Sequence, residues 1–356
     1  MEFFKKEIEY LKKNYLQLGI ISSIVLLFLS FIAPFILTLP AFADNLDFSS
    51  TGNIGDTIGG IMNPFIAIIA SILTFMAFYI QYKANQEVQQ QFKIQQFESQ
   101  FYEMLRLHKE NVNELYLKIR KKIEHPDNRI EIVEDVIYGR RVFEYLEYEF
   151  MLIYFIAVNN FSAKELIEKK VINEAYGIFF MGLTTSDLEK HKFFKQLGEL
   201  QNLINNLDYK AFDEILNKAL TSAFKFSSKI EFAIFNGHSQ QLAHHYRHLF
   251  QTVKFVVKQD ESFLTYENKR NYLRTLRSQL SNTEQAFLFY NWYSGFGKQW
   301  ENDVNKFFTD YRMIHNIYND LLISGIKLED IFDLNGDFRK EKNRVKDPLF
   351  EFEDWV

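Results

Sequence analysis

The chain has 356 residues with 17% aromatics, 38 of them Phe and 19 Tyr, enough apolar mass for one sizeable domain or two small ones beyond any membrane segment, which excludes global disorder. Its net charge is −5 and its pI near 6.0, so no whole-chain positive field argues for nucleic acid or anionic lipid, and any such binding must be local. Cysteine is absent, which excludes disulfides, thiol nucleophiles and thiolate metal sites while leaving the compartment open.

Residues 1–17 read as a cytoplasmic N-terminal segment ahead of a transmembrane hairpin over 18–82. No charged residue interrupts Leu18 to Leu39 or Thr57 to Tyr82, and each run reaches the roughly 20 residues that span a ~30 Å hydrocarbon core. The two spans are placed at about 18–39 and 58–82. Pro34 and Pro64 are expected to kink them, and Gly59, Gly60, Ala67, Ala70, Ser71 and Ala77 permit close helix approach. Lys5, Lys6, Lys12 and Lys13 precede the first span and Lys83 follows the second. The loop from Pro40 to Ile58 carries Asp44, Asp47 and Asp56 and no Lys or Arg, so both termini are expected in the cytoplasm. A cleaved signal peptide is the rival reading, with Ala41-Phe42-Ala43 as its small-x-small site, but the apolar run is longer than a signal core of about 7–15 residues.

Residues 83–122 are predicted as a long connecting helix that continues the second span. Phe101, Leu105, His108, Val112, Leu115 and Ile119 recur at heptad-like spacing, and that stripe either packs on its own domain or pairs subunits in a parallel coiled coil. His125-Pro126-Asp127-Asn128 is a clear break. From 127 to 336 the pattern predicts an all-α domain, with Val142 to Ala157 and Phe212 to Phe235 as helices and no sustained two-residue alternation. Residues 337–356 read as a charged, solvated tail.

Four of the eight histidines lie between Gly237 and His248. On a helix, Leu242, Tyr246, Leu249, Val253 and Val256 form a buried stripe, while His244, Arg247, His248, Gln251, Lys254 and Lys258 share another face. His244 and His248 have the i, i+4 spacing of a zinc pair, but the Glu of H-E-x-x-H is missing and Arg247 would repel a cation. The same histidines can equally be hydrogen-bonded core residues, or part of an anion-binding surface. In the following helix Leu273, Leu276 and Leu280 face inward while Arg270, Arg274 and Arg277 repeat at spacings of 4 and 3. Seven Lys or Arg stand against three acids from His238 to Arg277, interleaved with Tyr246, Phe250, Phe255 and Tyr266, a pattern that suits a local phosphate-binding surface as well as a plain solvated face. Ser281-Asn282-Thr283-Glu284 is a capping box, Gly295 follows the helix it opens, and Asn291 within that helix needs partners if buried. No Gly-rich phosphate loop, nucleophile elbow or deaminase motif occurs, so no catalytic residue, metal or cofactor is assigned.

Four pieces in order, Gly139-Arg140-Arg141-Val142-Phe143, Ala175 to Gly182, Gly237-His238 with Tyr246 to Phe250, and Arg277 to Asn282 with Glu284 and Tyr290-Asn291, resemble the phage abortive-infection (AbiC-like) membrane proteins over roughly residues 60 to 320. The resemblance implies a bacterial antiphage effector with transmembrane helices in the inner membrane and a cytoplasmic helical sensor domain. Such effectors are often encoded beside a nucleic-acid-synthesising partner such as a retron reverse transcriptase or a nucleotidyltransferase. It carries over no catalytic residue. The resulting expectation is a homo-oligomeric effector that contacts lipid and opens a pore or depolarises the membrane. Its gate would be a nucleic-acid or nucleotide ligand at His244, Arg247, His248, Lys254, Arg270, Arg274 and Arg277, with Gly237, His238, Ser281, Glu284 and Asn291 as structural motif residues. The alternatives are a membrane-tethered hydrolase or metal-dependent nuclease built on His238, His244 and His248, and a passive anchor that recruits a partner.

Overall fold

The computed structural model describes residues 17–32, 51–127, 129–161, 169–188, 191–206, 208–219, 232–334 and 347–351. Among the described residues helix makes up 66% and strand 6%. The chain divides into two compact units, 1–98 and 99–356.

In the first unit, α1 runs over Gln17–Ile32 and α2 begins at Thr51, continuing to Glu114. The helical start at Thr51 shortens the loop expected from Pro40 to Ile58; Pro34 and the rest of the first predicted span lie outside the described residues, as does most of the charged tail. Pro64 lies inside α2, and the helix carries on past it. Between Ile66 and Phe78 Ile69 is buried, but Ile66, Ile68, Leu73, Phe75 and Phe78 are exposed, the reverse of a soluble core helix. This helix is long and apolar enough to cross a membrane. Its partner α1 likewise exposes Ile21, Ile24, Phe28 and Phe31, while Ser23 and Ser30 are buried and Gly19 lies hard against the sulfur of Met76.

The helix predicted over 83–122 ends earlier, at Glu114, and an antiparallel hairpin follows: β1 over Tyr116–Glu124 and β2 over Ile130–Tyr138, with Tyr116 opposite Tyr138 and Arg120 opposite Glu134. The all-α expectation is corrected here. The break read at His125-Pro126-Asp127-Asn128 falls between the two strands; Asn128 lies outside the described residues, and around it the His125 N–H bonds the Arg129 carbonyl at 2.9 Å and Asp127 accepts from the Arg129 N–H. Leu117, Ile119 and Ile123 do alternate with Lys118, Arg120 and Lys122, but Ile119 also extends the heptad spacing of the preceding helix and so disguises the change of period.

Six further helices carry the second unit: α3 (Arg141–Asn160), α4 (Lys170–Met181), α5 (Lys192–Asn205), α7 (Ser239–Val257), α8 (Tyr266–Arg277) and α9 (Asn282–Tyr293); the amphipathic α6 (Tyr209–Ala219) packs on α5. A 3-10 turn, Asn319–Leu321, and a last short helix α10, Leu328–Ile331, follow. The helix predicted from Phe212 to Phe235 holds in α6 as far as Ala219; residues 220–231 lie outside the described residues, and Phe232 to Phe235 are irregular, because tertiary bonds take their backbone. The Glu149 carboxylate accepts the Phe235 N–H at 2.7 Å and the Phe235 carbonyl accepts from Leu183 at 2.8 Å.

The core is a cluster of rings. Phe150 from α3 meets Tyr176 and Phe179 from α4 and Phe287 and Tyr290 from α9 at centroid distances between 4.8 and 6.2 Å. Pairs of this kind contribute about 0.5–1.5 kcal/mol each beyond the area they bury. The heptad-like stripe also ends in this unit: Phe101, His108, Val112, Leu115 and Ile119 are all at most 5% exposed within their own chain. Leu105, on the same stripe, is only partly buried; the other five residues pack as a domain face.

Candidate functional site

The four sequence pieces that carry the resemblance meet in space, and they meet inside the second unit. Gly139, at φ 68°, donates its N–H to the Leu115 carbonyl at 2.9 Å and turns the chain into α3. The next residue, Arg140, bonds the Gln279 carbonyl and approaches the buried Glu284 carboxylate at 3.4 Å. Glu284 closes the predicted capping box with Ser281: its N–H goes to Ser281 Oγ and its carboxylate takes the Ser281 N–H at 2.6 Å. Gly182 (φ 90°) and Gly237 (φ 81°) pass each other so closely that a Cβ on Gly237 would sit 2.5 Å from the Gly182 nitrogen, so only glycine fits this crossing. From there His238 sends its N–H to the last carbonyls of α4 and its Nε2 to Glu149 at 2.8 Å.

Asn291 finds the partner its burial demands. Its Nδ2 donates to the Tyr176 hydroxyl at 3.2 Å, Tyr176 meets the Tyr246 hydroxyl at 3.4 Å, and Tyr246 donates to the Phe287 carbonyl at 3.3 Å. Burial raises the phenol pKa of both tyrosines, so both stay neutral and serve as hydrogen-bonding struts. Gly237, His238, Ser281, Glu284 and Asn291 are thus all engaged in contacts within the second unit.

On α7 the predicted stripe is buried as expected: Leu242, Leu249, Val253 and Val256 are within 1% of full burial and Tyr246 within 5%. The residues of its polar face go separate ways. His244 and Arg247 are exposed, with Arg247 Nε donating to the Ala243 carbonyl one turn back. His248 Nε2 lies 2.9 Å from the Met104 carbonyl on α2, and the Lys254 ammonium sits 5.5 Å from the Phe250 ring. Periodicity placed His108 on the apolar stripe and His245 in the histidine-rich helix but did not bring the two together. Both are buried, their rings 5.3 Å apart, with His248 stacked 6.3 Å from His108. Among the described residues neither nitrogen of His108 has a hydrogen-bond partner, nor has His245 Nδ1. Burial first, then the neighbouring bases, lowers His108 to about 4 and His245 to about 3. Among the described residues no three His, Asp or Glu side chains gather as a metal centre, and His238, His244 and His248 have three different surroundings.

The arginines of α8 divide as well. Arg274 is exposed, but Arg270 and Arg277 turn toward a second focus that the charge pattern did not reveal. Arg270 grips the Asp347 carboxylate through both guanidinium nitrogens, Nη1 to Oδ1 at 2.9 Å and Nη2 to Oδ2. Arg312, 1% exposed and at φ 60°, adds Nη2 to the Asp347 carbonyl at 3.0 Å and to Oδ1 at 3.5 Å, and Nε to the Pro348 carbonyl at 3.1 Å. Arg277 Nη1 donates to the Arg312 carbonyl at 3.0 Å. Burial, followed by the charges of Arg274 and Arg270, pushes Arg277 down to about 10, while burial lowers Arg312 as well. Asp347 lies below the ordinary carboxylate range: burial works against this, but Arg270 and Arg312 outweigh it. Arg270 and Arg277 could not be assigned to Asp347 and Arg312 from sequence, since the partners lie 77 and 35 residues away.

The molecule so described is a mostly helical protein with an outward-facing apolar helix of membrane length and a domain whose interior is knitted by buried Arg, Glu, His and Asn. Residues 237–321, from the glycine crossing through α7, α8 and α9 to the Asn319 turn, match the family model described as "Putative phage abortive infection protein". The AbiC-like resemblance holds over this segment, which contains Arg270, Arg274, Arg277 and Arg312 but neither α2 nor Asp347. No curated protein and no solved structure gives a match.

Proposed function

We propose that this chain is a membrane-embedded effector of antiphage abortive infection, which depolarises or perforates the membrane when its second unit takes up a phosphate-bearing nucleotide or nucleic-acid signal. The observation that carries the reading is the joining, in one chain, of a segment matching the abortive-infection family with a helix long and apolar enough to cross a membrane. The close approach of Gly19 to Met76 supports a two-span hairpin, with both termini cytoplasmic from the lysine flanks. Two spans cannot line an aqueous path alone, so the effector acts as a homo-oligomer. With the Phe101 to Ile119 stripe buried in its own unit, the assembly surface is the outward apolar face that includes Phe28, Phe31, Phe75 and Phe78. A co-encoded nucleic-acid-synthesising protein would supply the signal, and the arginines of α7 and α8 would receive its phosphates.

The test is a deletion of residues 18–82, with membrane potential followed by a voltage-sensitive dye in cells expressing either form under infection. Depolarisation by the full chain and none by the deletion is the expected result. Persistent toxicity of the shortened chain would turn the case toward a cytoplasmic activity.

A further inference from the structure

Guanidinium groups are seldom buried without a carboxylate, and here the carboxylate comes from outside the segment that supplies the guanidiniums. Arg270, Arg277 and Arg312 all lie within residues 237–321, whereas Asp347 does not. Arg270 and Arg312 converge on one carboxylate, Arg270 with a two-pronged fork that suits the oxygens of a phosphate equally well and Arg312 with a single contact at 3.5 Å. Asp310 and Glu351 act on this cluster at longer range, and Arg274 adds a further positive charge beside Arg277. Beyond the arginines, the short segment 347–351 is hydrogen-bonded through one neighbouring stretch: His315 Nδ1 meets the Leu349 carbonyl at 2.8 Å, Glu351 donates its N–H to the His315 carbonyl at 2.8 Å, Asn316 bonds the Glu351 carboxylate, and Leu349 and Phe350 are buried. Asp347 itself keeps a third of its side-chain surface exposed, so the anion end of the contact is reachable from solvent.

We propose that Asp347–Glu351 is a built-in acidic plug of an anion site formed by Arg270, Arg277 and Arg312, and that the phosphate of a nucleotide-class ligand binds there by displacing Asp347. The proposal rests on the phosphate-sensing reading above and adds its regulation. An internal carboxylate that fills the site most of the time weakens an external ligand by the fraction of time the site is open, so the plug sets a threshold for the signal. Weakening the plug then raises apparent affinity without any new contact to the ligand.

The experiment uses the full chain in detergent with three probes: inorganic pyrophosphate, ATP and a short single-stranded DNA. Asp347→Asn combined with Glu351→Gln should bind ATP or DNA about tenfold more tightly than the natural chain. Arg270→Met in that background should abolish the gain. Added peptide of residues 347–356 should compete with probe on the natural chain, which keeps the proposal testable if the substituted protein does not fold. A folded double variant that binds no more tightly, together with a peptide that does not compete, overturns the plug. In that case ATP or DNA binding that is lost in Arg247→Glu with Arg274→Glu would leave the phosphate-sensing reading standing. No binding of any probe by either protein overturns both, and binding of pyrophosphate alone overturns the nucleotide class.

Discussion

At the scale of single residues, the buried imidazoles have a consequence for stability. His108 and His245 sit neutral in the fold, at about 4 and about 3, against about 6.5 in an unfolded chain. The groups facing them are bases: His244 and His248 from α7, and Arg140 before α3, which itself leans on Glu284. Because the folded values are depressed, the unfolded chain takes up protons first as pH falls. Stability is intact above about 6.5 and declines from there toward about 4, by about 2 kcal/mol per histidine at pH 5. Thermal denaturation at about pH 7.5 and about pH 5 should therefore show a larger acid loss for the natural chain than for His108→Phe with His245→Phe. An equal loss would place the acid sensitivity elsewhere, with His315, also depressed by burial, as the next group to test. Glu149 gives a second prediction. Its buried carboxylate holds the Phe235 N–H and His238, so Glu149→Leu leaves both without an acceptor and should cost about 3 kcal/mol or more, while Glu149→Gln, which keeps one oxygen, should cost less by chemical denaturation.

At the scale of elements, what the sequence disclosed follows from range. The buried stripe of α7, the inward leucines of α8 and the capping box of α9 are set by neighbours three or four residues apart, and each is found where periodicity placed it. The partner of a charged residue is set by the tertiary fold. Arg270 and Arg274 look alike in sequence, yet one is buried on Asp347 and the other is exposed. The β-hairpin escaped because Leu115 and Ile119 keep a helical spacing across the point where α2 stops. The stripe from Phe101 to Ile119 was legible as apolar, but its spacing is the same for a subunit seam and a domain face. Burial decides between them, and a mutation can confirm the decision. Val112→Asp should lower the melting temperature of the second unit by several degrees through an unpaired buried charge, and should leave the oligomer mass of the protein that remains folded unchanged. Dissociation without loss of stability would restore the seam.

At the scale of the whole molecule, α2 is, among the described residues, the one element that carries both the apolar residues of a candidate membrane span and part of the buried face of the second unit, since the same helix holds Phe75 and His108. In the effector reading, a change at the arginine cluster would reach the membrane along this helix only if α2 acts as a stiff rod and not as a flexible linker. Inserting seven helix-forming residues after Gln91 changes the phase by only about 20°, while inserting two rotates one end against the other by about 200°. A seven-residue Gly-Ser insertion keeps the length and removes the stiffness. Infection-triggered depolarisation, read with a dye, should survive the helical insertion of seven and be lost with the flexible one, and the two-residue insertion should impair it. Equal activity of all three would mean that the helix merely tethers the second unit to the membrane, and that the signal travels by release or assembly of that unit instead.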